Sequence, residues 1–275
     1  MANNKIETVL VLGGNGKSGR RVVEKLRAKG VEVLVTTREL EKASKHSRYF
    51  IWENDRNWSE VLKGVDALFI VHPDTSMPEA LQQIRVLSEH AYKANIKKIV
   101  LLSGRGQDSV IACENVIQHS GLRWTIVRSA WFNQNFTEGH FAHGIKTGEV
   151  VFMAGQAGEP FVDLDDLADV VVASLLEPIH DNQVYEVTGD ILYTFRDAVA
   201  IISKKIGSPI TYRELDKQSY LELLLQHGLP PAVAQHLVFA FSEILDGRNQ
   251  SLGDGIDRVL KRSPKSFASF VDEAF

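Results

Sequence analysis

The sequence predicts an α/β fold, a doubly wound parallel sheet followed by a smaller, mostly helical C-terminal region. Three observations carry this. Short apolar runs alternate with amphipathic helix patterns over the first 130 residues, the first run opens into a glycine-rich turn, and from residue 195 the patterns are mostly helical. Strands that alternate with helices imply parallel pairing with a helical layer on each face, the Rossmann-like arrangement.

The elements follow in order. ETVLVL at 7–12 is a continuous apolar run, as in a strand buried on both faces. SGRRVVEKLRAKG at 18–30 places Val22, Val23 and Leu26 on one helical face and stops at Gly30. VEVLVTTR at 31–38 is the next strand, which completes a βαβ unit. DALFIV (66–71), KKIVLLS (97–103) and RWTIVRS (123–129) read as further strands. PEALQQIRVLSEHAYKA (78–94) and DSVIACENVIQHS (108–120) read as the helices between them. After 130 the rhythm changes to loops, a short strand pair and one helix at 166–176. The sequence therefore predicts a dinucleotide-binding region at 1–155, with the strand at 183–188 returning to its sheet, and a substrate or cap region at 156–275.

Composition narrows the function classes. The chain has 275 residues, 44% hydrophobic and 24% charged, an ordinary globular mixture with a net charge of −4. That balance gives no electrostatic footprint for nucleic acid or an anionic membrane. No apolar run approaches the ~20 residues of a membrane helix. MANNKIE at the start is polar, and a single cysteine, Cys113, excludes an internal disulfide framework. The expectation is a cytoplasmic protein that binds neither nucleic acid nor membrane.

VLGGNGKSGRR at 11–21 carries two nucleotide-binding signals. Gly16-Lys17-Ser18 looks like the end of a Walker A loop, but that loop needs a glycine five residues before Gly16, where Val11 stands. The glycines at 13, 16 and 19 fit a dinucleotide turn instead. Gly13 makes the turn, Gly16 lets the pyrophosphate approach backbone, and Gly19 lets the helix pack close to the sheet. The helix N-terminus then offers free N–H groups to phosphate. At the end of the second strand, where Asp or Glu holds the ribose hydroxyl of NAD, this chain has Arg38. A cation there favours the 2′-phosphate, so NADP(H) is the expected cofactor, with NAD(H) left open because Glu39 is adjacent.

With these pieces in place, the chain resembles the NmrA-like family of atypical short-chain dehydrogenases/reductases. The resemblance rests on VLGGNGKSGRRVV, KKIVLLS, SGLRWTIVRSAWFNQNF, EPFVDLDDLADVVVASL and the tail from GLPPAVAQHL to SPKSFASFV. The tail is most similar to the branch with festuclavine dehydrogenase and bacterial azo- and quinone reductases. The family pattern T-x-x-R-P-x-x-F-x-x-N is met at Thr125, Arg128, Phe132 and Asn135, with Ser129 in place of proline. The resemblance implies an NAD(P)(H) site that touches Gly13, Asn15, Gly16, Lys17, Ser18, Gly19, Arg38, Val71, His72, Pro73 and Ser103. It implies a reductase, or else a sensor of the NADP/NADPH balance that binds a regulatory protein partner.

The superfamily's usual acid, a tyrosine with lysine four residues later, is absent. Tyr49, Tyr92, Tyr185, Tyr193, Tyr212 and Tyr220 are followed at that spacing by Glu53, Ile96, Gly189, Asp197, Asp216 and Leu224. The lysine of isoflavone-reductase-like relatives aligns with Val110. Without such an acid, the suited acceptor is one that takes hydride first and a solvent proton afterwards: a quinone, azo, iminium or conjugated carbonyl compound. Catalytic residues stay unassigned. Trp131, Phe132 and Asn135 follow a strand at its carboxyl end and read as substrate-pocket residues or as packing between the two regions. His72 reads equally as a group over the cofactor or a wall residue. Asp163, Asp165, Asp166 and Asp169 read as helix capping, Cys113 as a small buried hydrophobe, and His140 with His143 gives no metal site. The apolar tail LELLLQHGLPPAVAQHLVFAF either caps the cleft or forms a homodimer interface.

Overall fold

A computed structural model describes residues 5–275; the polar start read at 1–4 lies outside the described residues. β1 (Thr8–Val11) leads through the glycine turn into α1 (Lys17–Ala28), followed by β2 (Glu32–Thr37) and the short edge strand β3 (Ser47–Tyr49). α2 (Trp58–Val61), β4 (Ala67–Ile70), α3 (Ala80–Lys93), β5 (Lys98–Ser103), α4 (Asp108–Gln118) and β6 (Arg123–Ser129) continue the alternation. Then come α5 (Asn135–Glu138), α6 (Ala142–Thr147), β7 (Glu149–Phe152), β8 (Gly158–Glu159), α7 (Leu164–Leu176) and β9 (Gln183–Val187). The remainder is β10 (Tyr193–Thr194), α8 (Phe195–Ile206), β11 (Thr211–Glu214), α9 (Lys217–Gln226), α10 (Pro231–Ile244), α11 (Gly255–Leu260) and α12 (Phe267–Ala274).

Seven strands form one sheet in the order β3-β2-β1-β4-β5-β6-β9, with every neighbouring pair parallel. The predicted doubly wound sheet is present, and the strand at 183–187 returns to it as its last member. All four residues of β4 and three of the four in β1 are buried, which is why both read as unbroken apolar runs. One face of the sheet is covered by α1, α7 and α11 through Val22, Leu26, Leu167, Val171 and Ile256. The other is covered by α2, α3 and α4 through Trp58, Ile84, Leu87, Cys113 and Ile117. Strand order reverses between β1 and β4, so their carboxyl ends flank the crevice where open α/β sheets hold ligands.

A third apolar cluster lies beyond the carboxyl ends and is built largely of aromatic rings, among them Phe136, Phe141, Phe152, Phe161, Phe195 and Phe267. It joins residues 136–161 to 195–275, whereas α7 lies on the main sheet. The chain thus passes between the two regions more than once, and the division expected at 155 does not follow the packing. The strand pair expected after 130 is also different. β7 pairs in parallel with β11, and β8 pairs antiparallel with β10, so each takes a partner distant in sequence. α7 starts two residues earlier than the expected 166, because Asp163 caps it by accepting a hydrogen bond from Asp165 N–H. No helix among the described residues is long and apolar enough to cross a membrane.

Candidate functional site

The glycine turn is set by backbone geometry. Gly13 has φ +73°, a conformation that side chains disfavour. Its N–H reaches Thr36 Oγ1 at 3.3 Å, and its carbonyl accepts from Gly16 N–H at 2.9 Å. A Cβ on Gly19 would overlap the Gly13 carbonyl and stand 2.8 Å from Gly14 Cα, so α1 can lie this close to the turn only with glycine at 19. Gly16 is different: a Cβ there would meet only the Gly13 oxygen, at 3.2 Å, and otherwise faces open space. Gly16 is also the extended N-cap of α1, with no side-chain cap and no acidic residue in the first turn. The α1 N-terminus therefore presents uncapped N–H groups and a positive dipole end at an open backbone surface, which suits a pyrophosphate.

Around the turn the structure collects several of the predicted residues. Val71 follows β4 and lies against Gly13, 3.2 Å from where a Cβ would sit. Asn15 and Gly16 are exposed, and Ser18 is buried beneath them. Arg38 is exposed just beyond β2. Glu39 beside it pairs with Lys42 at 2.6 Å.

Lys17, the first residue of α1, joins this turn to the residues after β6. Its Nζ donates to Asn135 Oδ1 at 2.6 Å and lies 5.8 Å from the centre of the Phe132 ring. Burial lowers its pKa, partly offset by the nearby Glu138 carboxylate. Arg20 and Arg21 both bind Glu138, fixing α5 to the outer face of α1. Phe132 and Asn135 thus stand over the turn, although 115 or more residues separate them from it in sequence.

Trp131 heads the aromatic cluster. Its ring is within 5.3–5.9 Å, centre to centre, of Phe141, Phe152, Phe195 and Phe241. Phe241 belongs to α10, so the apolar C-terminal tail does cover this region. The His140 ring packs on Phe141, Phe152 and Phe241 and meets the Tyr220 hydroxyl at 2.9 Å through Nε2. Burial, then the Lys17 charge, lowers its pKa. The Trp131 backbone N–H donates to Glu159 Oε1 at 3.0 Å.

Other predicted residues are placed differently. His72 Nδ1 accepts from Asp74 N–H at 3.1 Å, so its proton is on Nε2, facing Gln83 Oε1 at 2.8 Å. With Trp52, Pro73, His236 and Leu237 it walls a cavity of about 470 Å³ under α10. Asp74 holds His236 at 2.9 Å and so ties α10 to the loop after β4. Ser103 is buried and its hydroxyl donates to Glu114 Oε1 at 2.6 Å. Glu114 also holds Arg128 in a two-pronged pair, and Arg105 binds Glu186 and Ser251. Val110 is buried in α4. Cys113 is buried and its thiol pKa is pushed up to about 11 by burial. No cluster of three or more His, Cys, Asp or Glu that could hold a metal occurs among the described residues.

Sheet order, glycine turn and uncapped helix define a dinucleotide-binding protein of the doubly wound class. The chain belongs to the NAD(P)H-binding, NmrA-like family: the family model described as NAD(P)H-binding matches residues 13–178. It is similar to prestalk A differentiation protein A of Dictyostelium discoideum, 27% identical over 98% of this chain and 92% of the relative. It is 26% identical to the NAD(P)H azoreductase of Xenophilus azovorans over 96% of each chain. It is 27% identical to festuclavine dehydrogenase easG of Aspergillus fumigatus over 97% of each. Among solved structures, the triphenylmethane reductase of Citrobacter sp. complexed with NADP(H) shares the fold with a TM-score of 0.81, at 20% identity over 97% of this chain and all of that one.

Lys17 as a bridge, Glu159 and the Arg105–Glu186 pair were not found by sequence reasoning. The signal for Glu159 was a lone carboxylate in GEPFV, an otherwise apolar stretch.

Two glycines separate binding from folding. Gly16→Val is expected to leave the melting temperature nearly unchanged while abolishing NADPH binding in a fluorescence titration. Gly19→Ala is expected to lower the melting temperature, because forcing a Cβ into packed backbone costs ~1–3 kcal/mol, against the ~0.5–1 kcal/mol that alanine usually adds in a helix.

Proposed function

We propose that the protein is an NADPH-dependent reductase that delivers hydride to a small electron-poor acceptor: a quinone, azo, iminium or conjugated carbonyl compound. The observation that carries this is the Lys17–Asn135 contact. It joins the phosphate-facing end of α1 to the aromatic surface around Trp131, so a dinucleotide on the turn would point its far end at that surface. The names of the relatives, an azoreductase and a festuclavine dehydrogenase, support the same reaction class.

A bound reduced nicotinamide supplies the hydride. The chain does the rest. The uncapped N–H groups of 17–19 and Lys17 hold phosphate, and Arg38 selects the 2′-phosphate. Trp131 and Phe132 offer flat apolar faces to a planar acceptor, which favours aromatic partners by ~0.5–1.5 kcal/mol per ring pair beyond burial. Asn135 orients Lys17 and presents its amide beside Phe132. α10, tied down by Asp74–His236, limits water at the acceptor.

A second reading, an NADP(H)-sensing regulator without turnover, is favoured by one observation. The Ser103 hydroxyl is committed to Glu114, and no tyrosine–lysine pair stands beside it. Acceptor-dependent oxidation of NADPH separates the two: a reductase consumes NADPH with some member of a panel of quinones, azo dyes, iminium salts and enones, and a sensor with none.

Arg38→Ala should weaken NADPH at least tenfold more than NADH in parallel titrations, since a charge-assisted hydrogen bond contributes ~1.5–3 kcal/mol. Equal losses would leave Arg38 as a solvated surface residue.

Trp131→Ala should lower kcat for a quinone substantially with NADPH affinity retained within a few-fold, whereas Asn135→Ala should lower kcat and also weaken NADPH, because Lys17 loses its partner. No single tyrosine-to-phenylalanine change should lower kcat by the ~10²-fold or more expected for loss of a general acid. A loss of that size at Tyr220, the tyrosine bonded to His140, would assign the proton to that pair.

A further inference from the structure

Glu159 is a carboxyl group that the reading above leaves unused. It ends β8, opposite Tyr193 of β10, and segment 158–162 runs beside 131–133 through the Phe132–Val162 bridge. That register brings Glu159 beside the Trp131 backbone, just past the carboxyl end of β6. It is 3% exposed. Oε1 accepts the Trp131 N–H at 3.0 Å, and Oε2 has no hydrogen-bond partner among the described residues. Among the described residues no cation forms an ion pair with it.

Arg105, whose charge faces it from the loop after β5, is spent elsewhere: on Glu186 Oε2 at 2.9 Å, Ser251 Oγ at 2.9 Å, and the carbonyls of Ser251 and Asn249. Glu186 of β9 and Arg128 of β6 complete that cluster at 3.5 Å, and burial raises the pKa of Tyr193 across the β8–β10 pair. A buried carboxyl with one N–H donor and no counter-ion is not held ionised. Burial, opposed by the Trp131 N–H and the Arg105 charge, raises its pKa to about 7. A glutamine would accept the same N–H bond, so the bond alone does not call for an acid here.

We propose that the Glu159 carboxyl is the proton donor of the reduction, an inference that rests on the reductase reading. Hydride from the reduced nicotinamide forms the new bond on the acceptor and pushes an electron pair onto its oxygen or nitrogen. The Glu159 O–H bond breaks, its proton goes to that heteroatom, and the carboxylate left behind takes a proton from water. Quinones, azo compounds and conjugated carbonyls need this proton. An iminium ion does not, because hydride neutralises it.

The test compares the wild-type protein with Glu159→Gln, which keeps an oxygen acceptor for Trp131 N–H. Wild-type kcat with a quinone should fall about tenfold per pH unit above pH ~7, because the acid form is lost as pH rises through its pKa. Glu159→Gln should bind NADPH normally, reduce the quinone ~10²-fold more slowly without that limb, and reduce an iminium salt at the wild-type rate. Independently of turnover, infrared spectra of the wild-type protein should show a protonated-carboxyl band that disappears as pH passes ~7 and is missing in Glu159→Gln. Wild-type quinone rates and pH profile in the variant would overturn the proposal, as would absence of that band below neutral pH in the wild-type protein, whether or not the variant folds. If the wild-type protein reduces no acceptor at all while the band is present, the reductase reading fails, and the donor role falls with it.

Discussion

The close approach of α1 to the glycine turn is the constraint on which the site depends. Gly19 has its Cα against the backbone of Gly13 and Gly14, where no side chain fits. This contact fixes where α1 begins, and so where its uncapped N–H groups point. It also sets the position of Lys17, whose ammonium reaches Asn135 at 2.6 Å. A shift of α1 by the width of one methyl group would move those N–H groups and loosen the Lys17–Asn135 contact together. Arg20 and Arg21, held by Glu138, brace the same junction from the outer face.

On the other side of the cleft, polar groups are handled by pairing. Arg128, Glu114, Glu186 and Arg105 form a chain of opposite charges across the ends of β5, β6 and β9, with Ser103 as one terminus. Hydrogen bonding to Glu114 raises the Arg128 pKa. Removing one member would strand a buried charge, which costs several kcal/mol, so this chain reads as the frame that sets the ends of three strands. Glu159 lies next to the frame but outside its pairing, and that exclusion distinguishes a group able to titrate near neutrality from its neighbours.

The parts legible in the sequence are those with local signals. VLVL and ALFI are buried on both faces and read as strands without context, and the three glycines announce the turn by spacing. β9 was legible because QVYEV is a short stretch rich in β-branched and aromatic residues that ends at Thr188-Gly189. β3 was not: it is three half-buried residues at the sheet edge. β7 and β11 were misread for a different reason. Each is a four-residue strand, and their pairing spans some sixty residues, so neither carries a local sign of its partner. The same holds at the site. Arg38 sits where its position in a βαβ unit places it, but Lys17–Asn135 is a contact across 118 residues. Ser103 had a recognisable position, yet the direction of its hydroxyl is decided by Glu114, eleven residues on. The burial of Glu159 comes with the folding of segments around 131 and 193 against it, which no spacing rule encodes.

A reduced nicotinamide fixed over the Trp131 surface, as proposed above, would give its hydride from a single face. The most direct test uses NADPH deuterated at either of the two positions on the reactive carbon, with any acceptor the protein reduces. One labelled form should yield NADP+ free of deuterium and show a primary isotope effect where hydride transfer limits the rate, and the other should retain its label fully. Loss of label from both forms would mean that the cofactor is oxidised without being fixed in the site, and would contradict the account.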